Sequence, residues 1–391
     1  MKLLHVITTM NPKSGGPAQG IRNINTHFNK FDFEVDILSL DQEDYTKNEL
    51  INFRQINLGK GFTSFQYHNQ LKKWLINNLT SYDFVSVHGI WQYHNYAVYN
   101  AIKHLKKKNA NGLPKVVIMP HGMLDPYFQK AIDRKLKALR NNIVWKLIEK
   151  KAINTADAIF FTCQEELNLA KLTFKDYYPK KTINVGYGIE HPPIFSEQMK
   201  TAFEKKCPKI INKKYWLFIS RIHPKKGIKE LIEVYNQLKS NFEDIPELVI
   251  AGPNESSYAK EIMELALNNS SIHFPGMLIG DEKWGAFYGT DLFVLPSFQE
   301  NFGIAIVEAM ACKKPVLITK QINIWREIEN GNCGWIIEKT DKKLIESKLI
   351  EILNISSIEV QLKGDNAYHT FQEKFDVSIC SLNFVNALKS L

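Results

Sequence analysis

The stretch LFVLPSFQENFGIAIVE, residues 292–308, passes from a short apolar run through a Pro296-Ser297 turn into a segment of helical period. A run this short and apolar, closed by a proline turn, is the pattern of a strand buried on both faces of a parallel sheet. Past Gly303, the residues Ile304, Ile306, Val307 and Met310 open a helix. A glycine-bearing loop that feeds a helix offers free backbone N–H groups and the positive end of the helix dipole. The backbone of Asn301, Phe302, Gly303 and Ile304 is therefore a candidate seat for a pyrophosphate. Glu300 and Glu308 bracket it. At about 1.5 Å per helical residue they should lie on the order of 10 Å apart. That is at or beyond the roughly 5 to 9.5 Å of a glycoside hydrolase pair, so a paired acid and base is disfavoured. A nucleotide sugar fits better, with sugar hydroxyls at one carboxylate and ribose hydroxyls at the other. The plainer alternative makes Glu300 a helix cap and Glu308 a solvated helix residue; its place beside Val307, one turn past Ile304, favours a shielded face.

Outward from this stretch the same pattern repeats. Tyr215 to Ser220, Leu248 to Ala251, Ile272 to Phe274 and Val316 to Thr319 read as strands, separated by helices such as Ile228 to Leu238. Upstream, Leu3 to Ile7, Val35 to Leu40, Phe84 to Val87, Val116 to Met119 and Ala158 to Phe161 do likewise. Strands alternating with helices imply α/β architecture with parallel sheets. Between the two sets lies a less regular, Pro- and Lys-containing stretch from Gly186 to Lys214, where a linker is expected. A chain of 391 residues also exceeds the roughly 250 to 300 at which one core stops growing. Two Rossmann-like domains follow, 1–190 and 191–374. Their ligands are expected at the carboxyl ends of the strands.

Several strand ends carry suitable groups. Arg221 and Lys226 follow the strand Tyr215 to Ser220 and suit a leaving diphosphate, Arg through its planar fork and Lys as a point charge; alone, the turn would more often be a solvated basic loop. Gly15-Gly16-Pro17 follows the first strand, where glycine permits close backbone approach, although neither GxGxxG nor P-loop spacing is present. His88-Gly89 and His121-Gly122 end two further strands; a histidine there suits a sugar hydroxyl or a structural hydrogen bond. Phe128, Ile132, Leu136, Leu139, Ile143 and Leu147 recur at helical spacing opposite Lys130, Arg134 and Lys137. This reads either as a core helix with a solvated basic face or as a peripheral contact with an anionic membrane.

Lys+Arg 50 against Asp+Glu 41 gives a formal charge of +9, which favours phosphates and anionic surfaces. Carboxylates at the binding segments oppose a polyanion, so nucleic acid is not an expected partner. The five cysteines have no CxxC spacing, which fits a reducing, cytoplasmic setting. The opening residues read as a strand rather than a leader, and no run approaches the ~20 apolar residues of a membrane-spanning helix.

The ordered set Gly15-Gly16-Pro17, His121-Gly122-Met123-Leu124-Asp125-Pro126, Ser220-Arg221 with Lys226-Gly227, Ala251-Gly252-Pro253, Phe274-Pro275-Gly276, and Pro296-Ser297 leading to Glu300 and Glu308 resembles glycosyltransferase family 4 over essentially the whole chain. The resemblance implies the GT-B fold, two Rossmann-like domains facing each other across a cleft, with a last helix around Val377 to Leu388 returning to the first domain, which then adds about 375–391. It implies a retaining transferase that moves a sugar from a nucleotide-diphosphate donor to a glycan or lipid-linked acceptor in surface polysaccharide biosynthesis, in the cytoplasm or at the inner face of its membrane. The implied catalytic set is His121 facing the donor sugar, Glu300 on its hydroxyls, and Arg221 and Lys226 on the diphosphate. Gly15 and Gly16 would meet the donor phosphates, Met277 and Leu278 the base, and Glu308 the ribose, with Asn301, Phe302, Gly303 and Ile304 completing the donor site. No cofactor or metal is expected: there is no Asp-x-Asp motif, and cations with a helix N-terminus can replace a metal on phosphate. After Gly276 no basic residue stands beside the expected base. A nucleotide-sugar epimerase and a non-catalytic nucleotide-sugar-binding protein remain alternatives.

Overall fold

The computed structural model describes residues 1–42, 53–131 and 134–391. They form two compact units, Met1–Gly188 with Val377–Leu391, and Ile189–Asp376. In the first unit the strands are β1 (Lys2–Val6), β2 (Glu34–Ser39), β3 (Arg54–Asn57), β4 (Phe84–His88), β5 (Lys115–Met119), β6 (Ala158–Phe161) and β7 (Thr182–Asn184). All pair in parallel, in the order β3-β2-β1-β4-β5-β6-β7. Successive side chains alternate faces in a strand, so Leu3 and Ile37 join one buried cluster and Leu4 and Leu38 the other. The helix Val377–Lys389 belongs to this unit because Phe384 fills one of those faces. Its ring lies 5.8 Å from Phe28 and 5.4 Å from Phe160, edge-on to both.

The second unit contains β8 (Tyr215–Ile219), β9 (Glu247–Ala251), β10 (Ile272–Gly276), β11 (Leu292–Leu295), β12 (Val316–Thr319) and β13 (Gly334–Ile337). They are again parallel, in the order β10-β9-β8-β11-β12-β13. In both sheets the order reverses beside the unit's first strand. Loops leaving neighbouring strands there diverge to opposite faces and open a crevice, the switch point at which α/β sheets bind ligands. The crevices lie between β1 and β4 and between β8 and β11.

The strands β3 and β7 lack the apolar run used to find the others, and in β13 the run is only Trp335 to Ile337. Each is a sheet edge, and the sequences RQIN and TIN are polar because an edge is covered on fewer sides. The division between the units falls inside the expected linker, which is otherwise more ordered than its composition suggests. The units part at Gly188 and Ile189, and Glu197–Lys206, inside the presumed linker, is a helix of the second unit. Met199 and Phe203, four residues apart, supply its buried stripe, and Gly285 lets the helix Gly280–Gly289 approach so closely that a Cβ there would stand 2.1 Å from the Met199 carbonyl oxygen.

The single helix expected over 128–147 is two, Tyr127–Lys130 and Lys135–Val144, followed by a π turn at Trp145–Glu149. Ile132 lies outside the described residues. The core stripe is Ala138, Asn141, Trp145 and Glu149. Trp145 stacks on Phe174 at 4.6 Å and donates its indole N–H to the Lys175 carbonyl. Leu136, Leu139, Ile143 and Leu147 are instead 85%, 60%, 51% and 64% exposed, so the core reading of this apolar face is wrong.

Candidate functional site

Each unit has its own chemistry at its switch point. In the second, Gly227 adopts φ +67°, and a Cβ there would lie 2.1 Å from the Pro296 carbonyl oxygen. Only glycine lets the loop after β8 close onto the turn after β11. The Phe298 N–H donates to the Lys225 carbonyl at 2.8 Å, and Lys225 Nζ donates to Gln299 Oε1 at 2.6 Å. Lys226 is buried and forms an ion pair with Glu300. Burial, then the Arg221 and Lys225 cations, push its ammonium down from 10.5 to about 8, and the Glu300 carboxylate opposes that push. Arg221 is exposed at the mouth of the same loop. Two residues assigned to different parts of a donor thus neutralise each other.

Glu300 is pinned through its backbone. Its N–H donates to the Gln321 carbonyl at 3.1 Å, and its carbonyl accepts from the Asn323 N–H at 3.0 Å. Asn323 also donates from its side chain to Asn301 Oδ1 at 3.3 Å. The helix Ile304–Ala311 starts at Gly303, at φ +80°, and no side chain caps it. The groups that a capping serine or aspartate would satisfy are left to other acceptors. The Phe302 ring is buried, edge-on to Phe375 at 5.5 Å; its contribution to a ligand site is backbone only, because its side chain belongs to the core. Glu308 accepts from Lys283 Nζ at 2.8 Å, and Lys283 sits 4.1 Å above the Trp284 ring. The expectation of no basic residue in this region missed Lys283, which lies past the quoted stretch on the helix Gly280–Gly289. Met277 is 61% exposed, whereas Leu278 is buried.

In the first unit, Gly15 takes φ +92°, and neither it nor Gly16 has an atom within 4 Å of where a Cβ would stand. Gly16 opens the helix Gly16–Phe28, and its carbonyl accepts from the Tyr187 hydroxyl at 2.8 Å. His121 and Gly122 are consecutive residues with positive φ, +50° and +81°. For histidine this conformation is uncommon and needs outside support. Glu166 provides it, accepting the Gly122 N–H at 2.5 Å with one oxygen and the Thr162 N–H and hydroxyl with the other. His88, which is not among the residues the resemblance implies, touches His121: His88 Nδ1 lies 3.0 Å from His121 Nε2. Burial pushes His121 down to about 4 and His5 to about 3, and holds His88 well below its usual value. All three imidazoles are neutral near pH 7.

Residues 199–369 match the model of the family described as glycosyl transferases group 1. That segment holds the switch point between β8 and β11. A capsular polysaccharide biosynthesis glycosyltransferase of Staphylococcus aureus, CapM, is 29% identical over 45% of this chain and 46% of its own length. The O-antigen chain mannosyltransferase B of Escherichia coli is 25% identical over 45% and 46%. The match spans about half the length of these curated relatives. Among solved structures, Anabaena HepE in complex with UDP and glucose is similar at TM-score 0.75 and 17% identity, covering 100% of both chains. A sucrose-phosphate synthase from Thermosynechococcus elongatus is similar at TM-score 0.72 and 17% identity, covering 100% of this chain and 98% of that one. With two parallel Rossmann-like units, the fold is GT-B.

The sequence reading missed His5, Glu166 and Lys283. His5 was legible in principle: a histidine inside the apolar run Leu3 to Ile7 is a buried polar group that demands a partner. Glu166 and Lys283 carry no such mark, since each is one of many charged residues on a helix.

Proposed function

We propose that this protein is a retaining, metal-independent glycosyltransferase that moves a hexose or N-acetylhexosamine from a nucleotide-diphosphate sugar to a glycan or lipid-linked acceptor of a bacterial surface polysaccharide. The observation that carries this reading is the partly buried Lys226–Glu300 ion pair, with Lys226 the buried partner, at the switch point of the segment that matches the transferase family. A donor exchanges its partners: the diphosphate takes Lys226 with Arg221 and the uncapped helix start at Ile304, and the freed Glu300 carboxylate accepts from sugar hydroxyls. Both charges stay satisfied throughout, which a shielded pair requires. Glu308 accepts from the ribose, Met277 and Leu278 border the base, Gly15 and Gly16 meet the donor phosphates, and His121 contacts the sugar.

In the transfer, the bond from the anomeric carbon to the diphosphate oxygen breaks and leaves its electron pair on the phosphate. The acceptor hydroxyl then attacks from that same face and gives its proton to the departing phosphate, so configuration is retained and no protein base is needed. Arg221, Lys226 and the helix dipole stabilise the charge that develops on the leaving group.

The exposed Leu136, Leu139, Ile143 and Leu147 lie among Lys135, Lys137, Arg140 and Lys146. An apolar face ringed by cations suits an anionic membrane that presents a lipid-linked acceptor. Among the described residues no helix is long and apolar enough to cross a membrane; the contact proposed here is with its surface.

The test is transfer from UDP, GDP and ADP sugars to a lipid-linked acceptor, with the product anomer read by NMR. Retained configuration with one donor is expected; an inverted linkage sinks the mechanism. A donor altered without acceptor would point to an epimerase.

A further inference from the structure

Three imidazoles stand in a row at the carboxyl ends of β1, β4 and β5. His5 Nδ1 lies 2.8 Å from His88 Nε2, and His88 Nδ1 lies 3.0 Å from His121 Nε2. The register explains the row. His5 pairs with Ser86 across β1 and β4, so His88 is the next residue on the same face, while His121 follows two residues past Met119, the β5 partner of His88. His5 and His88 are buried, and His94 anchors the middle by placing its Nε2 2.9 Å from the His88 carbonyl. Among the described residues no group of His, Cys, Asp and Glu is arranged to hold a metal ion.

A neutral imidazole carries one N–H and one lone pair. Each of the two contacts in the row therefore holds one proton, and the row has two self-consistent states. In one, His5 donates to His88 and His88 to His121, so all three carry the proton on Nδ1 and the outer nitrogen of His121 is a donor. In the other, all three carry it on Nε2 and that outer nitrogen is an acceptor. A mixed state turns two lone pairs or two N–H groups against each other in a buried place. Changing the tautomer of His121 thus requires changing that of His88; the Ser86 hydroxyl, 3.1 Å from His88 Nε2, can donate or accept in either state, and the 2.8 Å contact carries the change on to His5.

We propose that His88 and His5 are positioning residues for His121: together they fix its ring and tautomer, so that it presents one polarity to the substrate. The logic is that of any catalytic imidazole oriented through its second nitrogen, with imidazoles in place of the usual carboxylate, which keeps the row uncharged. The proposal rests on the reading that His121 meets the donor sugar.

The test joins long-range 1H–15N correlation spectra of histidine-labelled protein to steady-state kinetics. The expected spectra show one shared tautomer for His5, His88 and His121; two different tautomers among the three overturn the proposal. His88→Phe should release His121 to tautomer exchange and lower kcat ~10-fold with KM little changed, the scale of losing an orienting partner. His88→Asn, whose amide N–H can replace the Nδ1 side of the contact, should recover most of that loss. His88→Phe with wild-type kcat and an unchanged His121 tautomer overturns the proposal. Should His88→Phe fail to fold, His5→Phe, one ring further from His121, carries the same spectral test. His121→Ala with unimpaired transfer would instead show that the site reading fails.

Discussion

At the switch point between β8 and β11 the side chains are charged and neutralise one another in pairs, Lys226 with Glu300 and, further along, Lys283 with Glu308. At the switch point between β1 and β4 they are imidazoles held neutral by burial. The difference matters for what each can bind. Paired charges can exchange partners with a charged ligand at little desolvation cost, because neither charge is ever left alone. A neutral row has no charge to offer, and its strength is orientation. Exchangeable charges beside β8 suit an anion, and a neutral row beside β1 suits the fixing of a direction.

The largest expected effect breaks the charged pair. Glu300→Ala and Lys226→Ala should each lower kcat/KM by ~10²- to 10³-fold, the range seen when one charge-stabilising group is removed. The double variant should cost much less than the product of the two, because each single change strands the charge of its shielded partner. A double-mutant cycle on transfer rates checks this. Strict additivity would show that the pair does not act as a unit.

Next in size is a contrast between glycines. Gly227→Ala meets the Pro296 carbonyl oxygen at 2.1 Å and a left-handed φ, and should destabilise the second unit by about 4 kcal/mol. Gly15→Ala has open space and only its φ of +92° against it, a cost of about 1 to 3 kcal/mol. Urea denaturation followed by Trp216 for the second unit and Trp145 for the first separates them. Equal losses would mean that the approach of the β8 loop to Pro296 is not tight.

This contrast also shows what was legible in the chain. Residues 292–308 announced a strand, a turn and a helix start, because a strand buried on both faces must be apolar and proline and glycine punctuate the change of period that follows; the structure has all three. The ion pair between Lys226 and Glu300 was not legible. The two lie 74 residues apart, and only the neighbouring of β8 and β11 brings their loops together. The row of histidines was hidden for the same reason, since His5, His88 and His121 become adjacent only through strand order. The helix Lys135–Val144 misled differently. Its leucine spacing was real, but Trp145 and Ala138 define the buried stripe, and periodicity alone does not say which stripe is covered.

The two units should also answer pH in opposite directions. His5, His88, His94 and His121 have folded-state values below 6.5. The unfolded chain therefore binds protons first, and the first unit loses stability as pH falls from 6.5 toward 4. Buried Glu149, pushed up to about 7, opposes this, because the folded state binds its proton between pH 7 and 4.5; one carboxyl stands against four histidines. For the second unit, Lys226 near 8 makes donor affinity fall as pH rises through that value. Hydrogen exchange resolved by unit, and calorimetric titration with UDP, read the two. Loss of protection in the second unit first on acidification would contradict the assignment.

The smallest expected effect on stability concerns the helix Lys135–Val144. Leu139→Ser removes an apolar side chain that is 60% exposed, so unfolding should change by no more than about 0.5 kcal/mol. If that face meets an anionic membrane, the same substitution removes apolar area from the bound state alone, and Leu136→Ser with Leu139→Ser should weaken binding to phosphatidylglycerol vesicles several-fold. Lys137→Gln with Arg140→Gln should weaken it further at low salt than at high salt, because screening already removes the charge term at high ionic strength. Sedimentation with vesicles, beside transfer to a water-soluble acceptor, separates docking from chemistry. Unchanged sedimentation in both pairs of variants would leave the exposed leucines without a membrane role, while the charged pair and the neutral row would stand as before.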